Sequence, residues 1–247
     1  MKQRIVLHID FDYFYAQCEE IRTPDLKTKP VAVCMFSDRG GDSGAIATAN
    51  YTAREFGVKS GLSIQSAKQK LKNRTDSAFL PADFEYYSEM SEKSMNIIKK
   101  FADVFEYVGR DEAYLDVSEK VERDFVKASH IAQQIKNEVR EKTKLTCSVG
   151  ISPNKLLSKI ASGYKKPDGL TTITPDKISE FMETLNLGDI HGIGKKTVQK
   201  LAEEGIETIF ELRISILDFR CLIFDARFSM IDSQCLMFGC DLPFSNF

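Results

Sequence analysis

The sequence predicts an α+β fold, built on a split βαβ unit that carries one insertion and is followed by a helical module. Three observations point there. Short apolar runs at 4–10, 104–108, 113–117 and 145–151 have the length and composition of strands. Two longer stretches, 84–101 and 125–142, repeat apolar residues at helical spacing, among them Met90, Met95, Ile97 and Ile98 in the first and Ile131, Ala132, Ile135 and Val139 in the second. In chain order these segments read βαββαβ, the ferredoxin-like arrangement, with 23–83 inserted after the first strand and a separate helical module from 174 onward.

Each element has a local reason. Residues 4–10 form a buried strand, and 12–22 a helix. Pro24 and Pro30 bracket a loop, and 31–36 is a second apolar strand. The polar, glycine-rich stretch 37–44 reads as a turn. Residues 45–56 are expected to be helical and to end at Gly57, and 62–71 to form a further helix. The strands at 104–108 and 113–117 flank Gly109-Arg110-Asp111-Glu112, a hairpin-like turn. Ser152-Pro153 is expected to cap a helix running to about residue 162, and Thr174-Pro175 to repeat the device for a helix near 176–185. After about residue 214 the helical patterning decays into an apolar tail, 218–247.

The chain has 247 residues and 43% apolar content, enough for a proper core. Its net charge of −2 gives no sign of a nucleic-acid partner from the whole-chain sum, so distribution matters more. The stretch 54–74 carries Arg54, Lys59, Lys68, Lys70, Lys72 and Arg74 against the single acid Glu55, a surface for phosphates or simply a solvated helix face. The six cysteines show no metal-ligand spacing, and Cys34 and Cys147 lie within strands as small hydrophobes. The three histidines are scattered, which argues against a zinc site or a Ser-His-Asp triad. No stretch reaches the roughly 20 apolar residues of a membrane span, and no signal peptide is evident, so a reducing cytoplasm is expected.

The chemistry concentrates in acids at strand ends. Asp10 closes the first strand, and Asp111-Glu112 stands at the turn into the third. In a βαββαβ sheet these strands are neighbours, so the carboxylates converge at one edge, as divalent-metal and phosphoryl chemistry requires. Because adjacent strand residues face opposite ways, Asp111 and Glu112 can serve one site only if the turn re-aims one of them. On spacing alone the other reading is that Asp10 and Asp12 cap a helix and Asp111-Glu112 is a polar turn.

Four blocks carry a family resemblance. Asp10-Phe11-Asp12-Tyr13-Phe14-Tyr15-Ala16-Gln17, Ala47-Thr48-Ala49-Asn50-Tyr51-Thr52-Ala53-Arg54, Asp111-Glu112-Ala113-Tyr114-Leu115-Asp116 and Val149-Gly150-Ile151-Ser152-Pro153-Asn154-Lys155 resemble the signature blocks of Y-family DNA polymerases of the DinB type, most closely archaeal ones. They occur in the family's order and spacing and cover about 1–210. The resemblance implies a palm (1–22 and 84–173), small α/β fingers (23–83) and a helical thumb (174–247). Its implied activity is low-fidelity translesion DNA synthesis by two-metal phosphoryl transfer without proofreading, on primer–template DNA and deoxynucleoside triphosphates.

The resemblance also implies roles residue by residue. Asp10, Asp111, Glu112 and the Phe11 carbonyl would hold two Mg²⁺ ions. Tyr15 occupies the steric-gate position, where an aromatic ring under the sugar excludes a 2′-hydroxyl. Tyr13, Phe14, Thr48, Tyr51, Arg54 and Lys166 would contact the nucleotide, with Tyr51 and Arg54 on one helix face. Lys155 and Lys159 would serve the same site or the DNA. Leu187-Gly188-Asp189-Ile190-His191-Gly192-Ile193-Gly194-Lys195-Lys196 looks like the thumb's helix-hairpin-helix, in which Gly192, Gly194, Lys195 and Lys196 would grip phosphate without reading bases.

Two departures stand out. Gly109-Arg110 replaces the serine and aliphatic residue common before the acidic pair, and Arg110 is expected to lower nearby acid pKa values, to meet the primer end or to bend the turn. Family members also continue into a little-finger domain, which is expected to be absent here. A monomer is expected, with a sliding clamp as a candidate partner, although 234–241 fits a clamp-binding motif poorly. Two other classes share these features: a catalytically weak DNA-binding fragment, which loses affinity with its lost phosphate contacts, and a nucleotide cyclase on a similar sheet, against which the Tyr51/Arg54 helix and the hairpin argue.

Overall fold

The structure is a computed structural model that describes residues 3–38, 40–190 and 192–212. The apolar tail at 218–247, with Cys221, Cys235 and Cys240, lies outside the described residues, as does His191. The chain divides into two compact units, with the boundary in the sequence between residues 172 and 173.

The first unit holds the ferredoxin-like sheet. Strand β1 (Val6–Phe11) is central, flanked antiparallel by β6 (Glu112–Asp116) and β7 (Cys147–Ser152). Strand β5 (Val104–Tyr107) extends it beyond β6, and β8 (Leu170–Thr172) adds a parallel edge beyond β7. Helix α1 (Phe14–Arg22) follows β1, and the crossovers are α4 (Phe84–Ile98) and α5 (Phe125–Thr143). The core gathers Ile5, Leu7 and Ile9 from the β1 segment, Leu115 from β6, Val149 and Ile151 from β7 and Ile135 and Val139 from α5. The predicted βαββαβ order is therefore borne out.

The insertion leaves after Arg22 and returns at Asp83, and these two residues form a 2.8 Å ion pair. Between them, β2 (Val31–Phe36) pairs antiparallel with β3 (Gly44–Ala49) and parallel with β4 (Ala78–Pro81), backed by α2 (Tyr51–Glu55) and α3 (Ile64–Lys70). The helix expected over 45–56 is thus a strand followed by a short helix. Its alanines favour a helix, but pairing with β2 overrides that propensity. Gly44 enters the pairing with φ +138°, and a Cβ there would stand 2.1 Å from the Met35 carbonyl oxygen. Asn50 then starts α2 by accepting from the Ala53 amide.

Helix α6 (Lys155–Tyr164) is capped not by Ser152, which stays in β7, but by Asn154, whose side chain accepts from the Leu157 amide at 2.9 Å. It lies so close to β7 that a Cβ on Gly150 would come within 2.0 Å of the Ser158 carbonyl oxygen and 2.4 Å of the Ser162 amide nitrogen. Glycine is needed there for approach, and the approach delivers the α6 side chains to the end of β1.

In the second unit, Pro175–Lys177 forms a 3₁₀ turn that leads into α7 (Ile178–Glu183), where one continuous helix is predicted. A 3₁₀ turn at Leu187–Asp189, closed by reciprocal Asn186 and Asp189 hydrogen bonds, precedes α8 (Lys195–Glu203).

Candidate active site

Asp10 and Glu112 are direct cross-strand partners on β1 and β6. Cross-strand partners share a face, so both carboxylates point to the same side of the sheet. Asp111 precedes the strand, in a turn closed by Gly109 and Glu112 backbone bonds, and its carbonyl accepts from the Phe11 amide at 2.8 Å. This is how the chain brings two consecutive acids to one edge: Glu112 belongs to the pleat and Asp111 to the turn.

Packing and the nearby charge of Asp10 push the Asp111 carboxyl above its usual range. The reverse holds for Glu112, which His8 and Lys159 hold down at about 2 against the opposing effect of burial. Lys159 Nζ donates to Glu112 Oε2 at 2.7 Å, and Lys166 Nζ pairs with Asp10. Of the two roles expected for Lys159, at this site or at the DNA, the contact with Glu112 matches the first. Lys155 pairs with Glu106.

Neither Asp10 nor Asp12 caps α1, whose N-terminal position is Tyr13 in the left-handed region (φ 35°) with no side-chain cap. Asp12 is fully buried and accepts from Thr146 Oγ1 (2.9 Å), Ser148 Oγ (2.8 Å) and the Asp168 amide (2.9 Å). It ties the 165–169 loop to β1 and β7, and so positions Lys166 beside Asp10. Lys136 on α5 holds the same loop from below: its Nζ donates to the carbonyls of Cys147, Asp168 and Gly169 and to Asp168 Oδ1. A buried ammonium so fully surrounded by acceptors avoids the cost of an unpaired charge.

Among the described residues, one group of metal-ligating side chains brings its ligand atoms within 4.8 Å of one another: His8, Asp10 and Glu112. Asp111 is not in that trio. His8 is two residues before Asp10, hence on the same face of β1. Its ring is fully buried, tilted against Tyr114 at 4.6 Å, with Nδ1 2.7 Å from Ser162 Oγ. The carboxylate pair is a hard oxygen donor set that fits a divalent cation.

The aromatic residues divide. Tyr15 is half-buried and stacks on Tyr87 with ring centroids 4.6 Å apart, edge-on to Phe84. Phe14, expected at the nucleotide, turns its ring into the core against Phe11, so its side chain is a packing residue. Tyr13 meets Tyr51 edge-to-face at 5.1 Å and donates to Glu20. The Tyr51 hydroxyl is buried without a hydrogen-bond partner, and burial together with the charges of Asp12 and Asp10 pushes it up to about 12. Arg54 lies 4.9 Å over the Tyr51 ring, so the two share a face of α2 as expected. Thr48, by contrast, sits on β3 opposite Val33 rather than on that helix.

Arg110 is exposed in the turn, stacked 5.4 Å over Phe84 and bonded to Ser88 Oγ at 3.1 Å. It points to α4, and the cation acting on Asp111 is Lys166. In the second unit, Gly192 adopts φ 96° and Gly194 is the N-terminal cap of α8, which leaves Lys195 and Lys196 exposed in the first turn. His8, Asp12, Lys136 and Lys159's partnership with Glu112 escaped sequence reasoning. The i, i+2 spacing of His8 and Asp10 on a strand was the one local signal.

Residues 9–163 match the profile of the impB/mucB/samB family, and 175–206 match the IMS family HHH motif. A relative named DNA polymerase IV from Nitrosopumilus maritimus (strain SCM1) is 68% identical over 213 residues, 86% of this chain and 58% of that protein. Among solved structures, an insertion ternary complex of Dbh DNA polymerase superposes with TM-score 0.78 at 43% identity, covering 83% of this chain and 58% of the other. DinB from Sulfolobus solfataricus gives TM-score 0.77 at 42% identity over the same shares. The chain thus spans somewhat over half the length of these relatives. With the carboxylate edge and the hairpin module in place, it belongs to the impB/mucB/samB family, the Y-family DNA polymerases of the DinB type.

Proposed function

We propose that this chain forms the catalytic part of a template-directed translesion DNA polymerase, which adds deoxynucleotides to a primer 3′-end. The observation that carries the proposal is the cross-strand pairing of Asp10 with Glu112, with Asp111 in the adjoining turn. Its similarity to a polymerase solved as a ternary complex supports the reading.

Asp10, Asp111, Glu112 and the Phe11 carbonyl would hold two Mg²⁺ ions, which when bound neutralise charge on the attacking and leaving oxygens. The protein's own part is positioning. Tyr15, braced by Tyr87, forms the floor under the sugar. Tyr51, Arg54 and Lys166 surround the triphosphate, with Thr48 and the Tyr13–Phe14 backbone beside it. The glycines and lysines of the 187–196 hairpin hold the DNA backbone. In this reading the sheet of β1, β5, β6, β7 and β8 is the palm, the insertion 23–83 the fingers and the second unit the thumb. The site acts as a monomer in a reducing cytoplasm, where Cys18, Cys34 and Cys147 stay as buried free thiols, and a sliding clamp is the candidate for tethering it to DNA.

The test is primer extension by this chain on damaged and undamaged templates at low salt with Mg²⁺. Extension on both supports the reading. DNA binding without extension would overturn it in favour of a DNA-binding fragment.

A further inference from the structure

We propose that Glu20 is a positioning residue for nucleotide binding, which sets Tyr51 and Arg54 in place by holding both Tyr13 and the start of α2. The inference rests on the reading of Tyr51 and Arg54 as triphosphate contacts. It begins with a buried carboxylate that no catalytic step uses. Glu20 lies on α1, only 5% exposed, about two turns beyond Tyr13. A buried carboxylate is costly unless its oxygens find donors. Here each oxygen takes one from a different part of the chain. Oε1 accepts from Asn50 Nδ2 at 2.8 Å, and Oε2 accepts from the Tyr13 hydroxyl at 3.1 Å.

Asn50 carries the first route. Its side chain is buried and uses its full hydrogen-bonding capacity: Nδ2 donates to Glu20 and to the Lys29 carbonyl, and Oδ1 accepts from the amides of Val31 and Ala53. The last of these bonds caps α2, so the carboxylate on α1 fixes the residue from which Tyr51 and Arg54 follow. The second route runs through Tyr13. Its backbone is in the left-handed region at φ 35°, which a tyrosine keeps only when its surroundings hold it there. The bond to Glu20 fixes the ring, and the ring meets Tyr51 edge-to-face at 5.1 Å. Tyr51 in turn carries Arg54 4.9 Å over its face. One side chain therefore anchors both the cap of the helix and the ring that braces it. A helix as short as α2 needs such anchors, because it cannot hold its own shape.

Both partners of Glu20 are neutral, so the arrangement needs its shape and not its charge. A glutamine keeps that shape: its carbonyl oxygen accepts from Asn50, and its amide donates to the Tyr13 hydroxyl, which then accepts.

The test separates positioning from stability. Primer extension gives KM for the deoxynucleotide against kcat, and calorimetric titration of deoxyadenosine triphosphate with Mg²⁺ into the full chain gives Kd without extension. Glu20→Ala should raise KM and Kd about tenfold, the scale of a lost hydrogen bond to a charged group, and should leave kcat within about twofold of the native value. Glu20→Gln should restore native constants. Tyr13→Phe, which removes one bond and keeps the ring, should raise KM and Kd about threefold and carries the test if Glu20→Ala fails to fold. A folded Glu20→Ala variant with native KM and Kd, an equal loss in Glu20→Gln, or unchanged constants in Tyr13→Phe would overturn the assignment. Arg54→Ala is the control for the underlying reading. If it leaves Kd unchanged, the triphosphate reading of Arg54 falls and takes the inference with it. If it raises Kd while Glu20→Ala does not, the Glu20 assignment falls alone. A native chain that binds no triphosphate would overturn both.

Discussion

Asp10 and Glu112 face each other across the β1–β6 ladder, and each carboxylate has an ammonium partner, Lys166 in the loop after α6 for Asp10 and Lys159 on α6 for Glu112. Two charges from neighbouring strands, matched by cations from α6 and from the loop that follows it, form a site set by backbone pairing before any side chain rotates.

Asp111→Ala should lower primer extension by roughly 10³-fold, the scale on which removal of a charge-stabilising group acts. DNA binding should survive, since the hairpin of the second unit is untouched. A gel-shift assay beside single-turnover extension checks both, and undiminished extension would remove Asp111 from the site.

Tyr15→Ala should admit ribonucleotides, read as the ratio of ribo- to deoxynucleotide incorporation. It should also cost about 1 kcal/mol of stability, because the stack on Tyr87 is lost. Unchanged sugar selection in a folded variant would take Tyr15 out of the gate role.

Asp12→Ala should cost about 3 kcal/mol in urea unfolding, because two buried hydroxyls and the Asp168 amide lose their acceptor together. A loss no greater than that of a surface substitution would mean that water or a neighbour replaces the carboxylate.

Gly150→Ala should destabilise by roughly 3 kcal/mol, since the added methyl would meet backbone atoms of α6 that have no rotamer to change. Extension should fall with it, because Lys159 and Ser162 travel with that helix. Thermal melts and extension rates together test the coupling.

Asp168 predicts a pH dependence. Partial burial alone would raise its pKa, but hydrogen bonds and charge from Lys136 and Arg140 hold it below its ordinary value of 3.8. The folded pKa lies below the unfolded one, so the stabilisation is present above that value and disappears as the pH falls through the folded pKa. The stability gap between the native chain and Asp168→Asn should therefore be constant at neutral pH and narrow below about pH 4. A gap that stays constant down to pH 2.5 would contradict this assignment.

The sheet order and the acidic edge were legible because their signals are local: apolar runs of strand length, and acids where the runs end. Thr48 was misplaced because an alanine-rich segment reads as a helix until its partner strand is known. Asp12, His8 and Lys136 were not legible as working residues, because each draws its role from atoms far along the chain: Thr146 and Ser148 for Asp12, Ser162 for His8, Asp168 for Lys136. Arg110 looked like a partner for the acids because it adjoins them in sequence, yet the turn sends it to Phe84 and Ser88.

The Arg22–Asp83 clasp has a consequence for how this architecture can vary. The excursion between them begins and ends at nearly one point, so the sheet beneath feels only that its ends are joined. Closing a longer or shorter excursion changes the chain entropy only logarithmically with its length. Residues can therefore be gained or lost at its outer turns, such as the one around Gly40 and Gly41, while the strands carrying Asp10 and Glu112 keep their alignment.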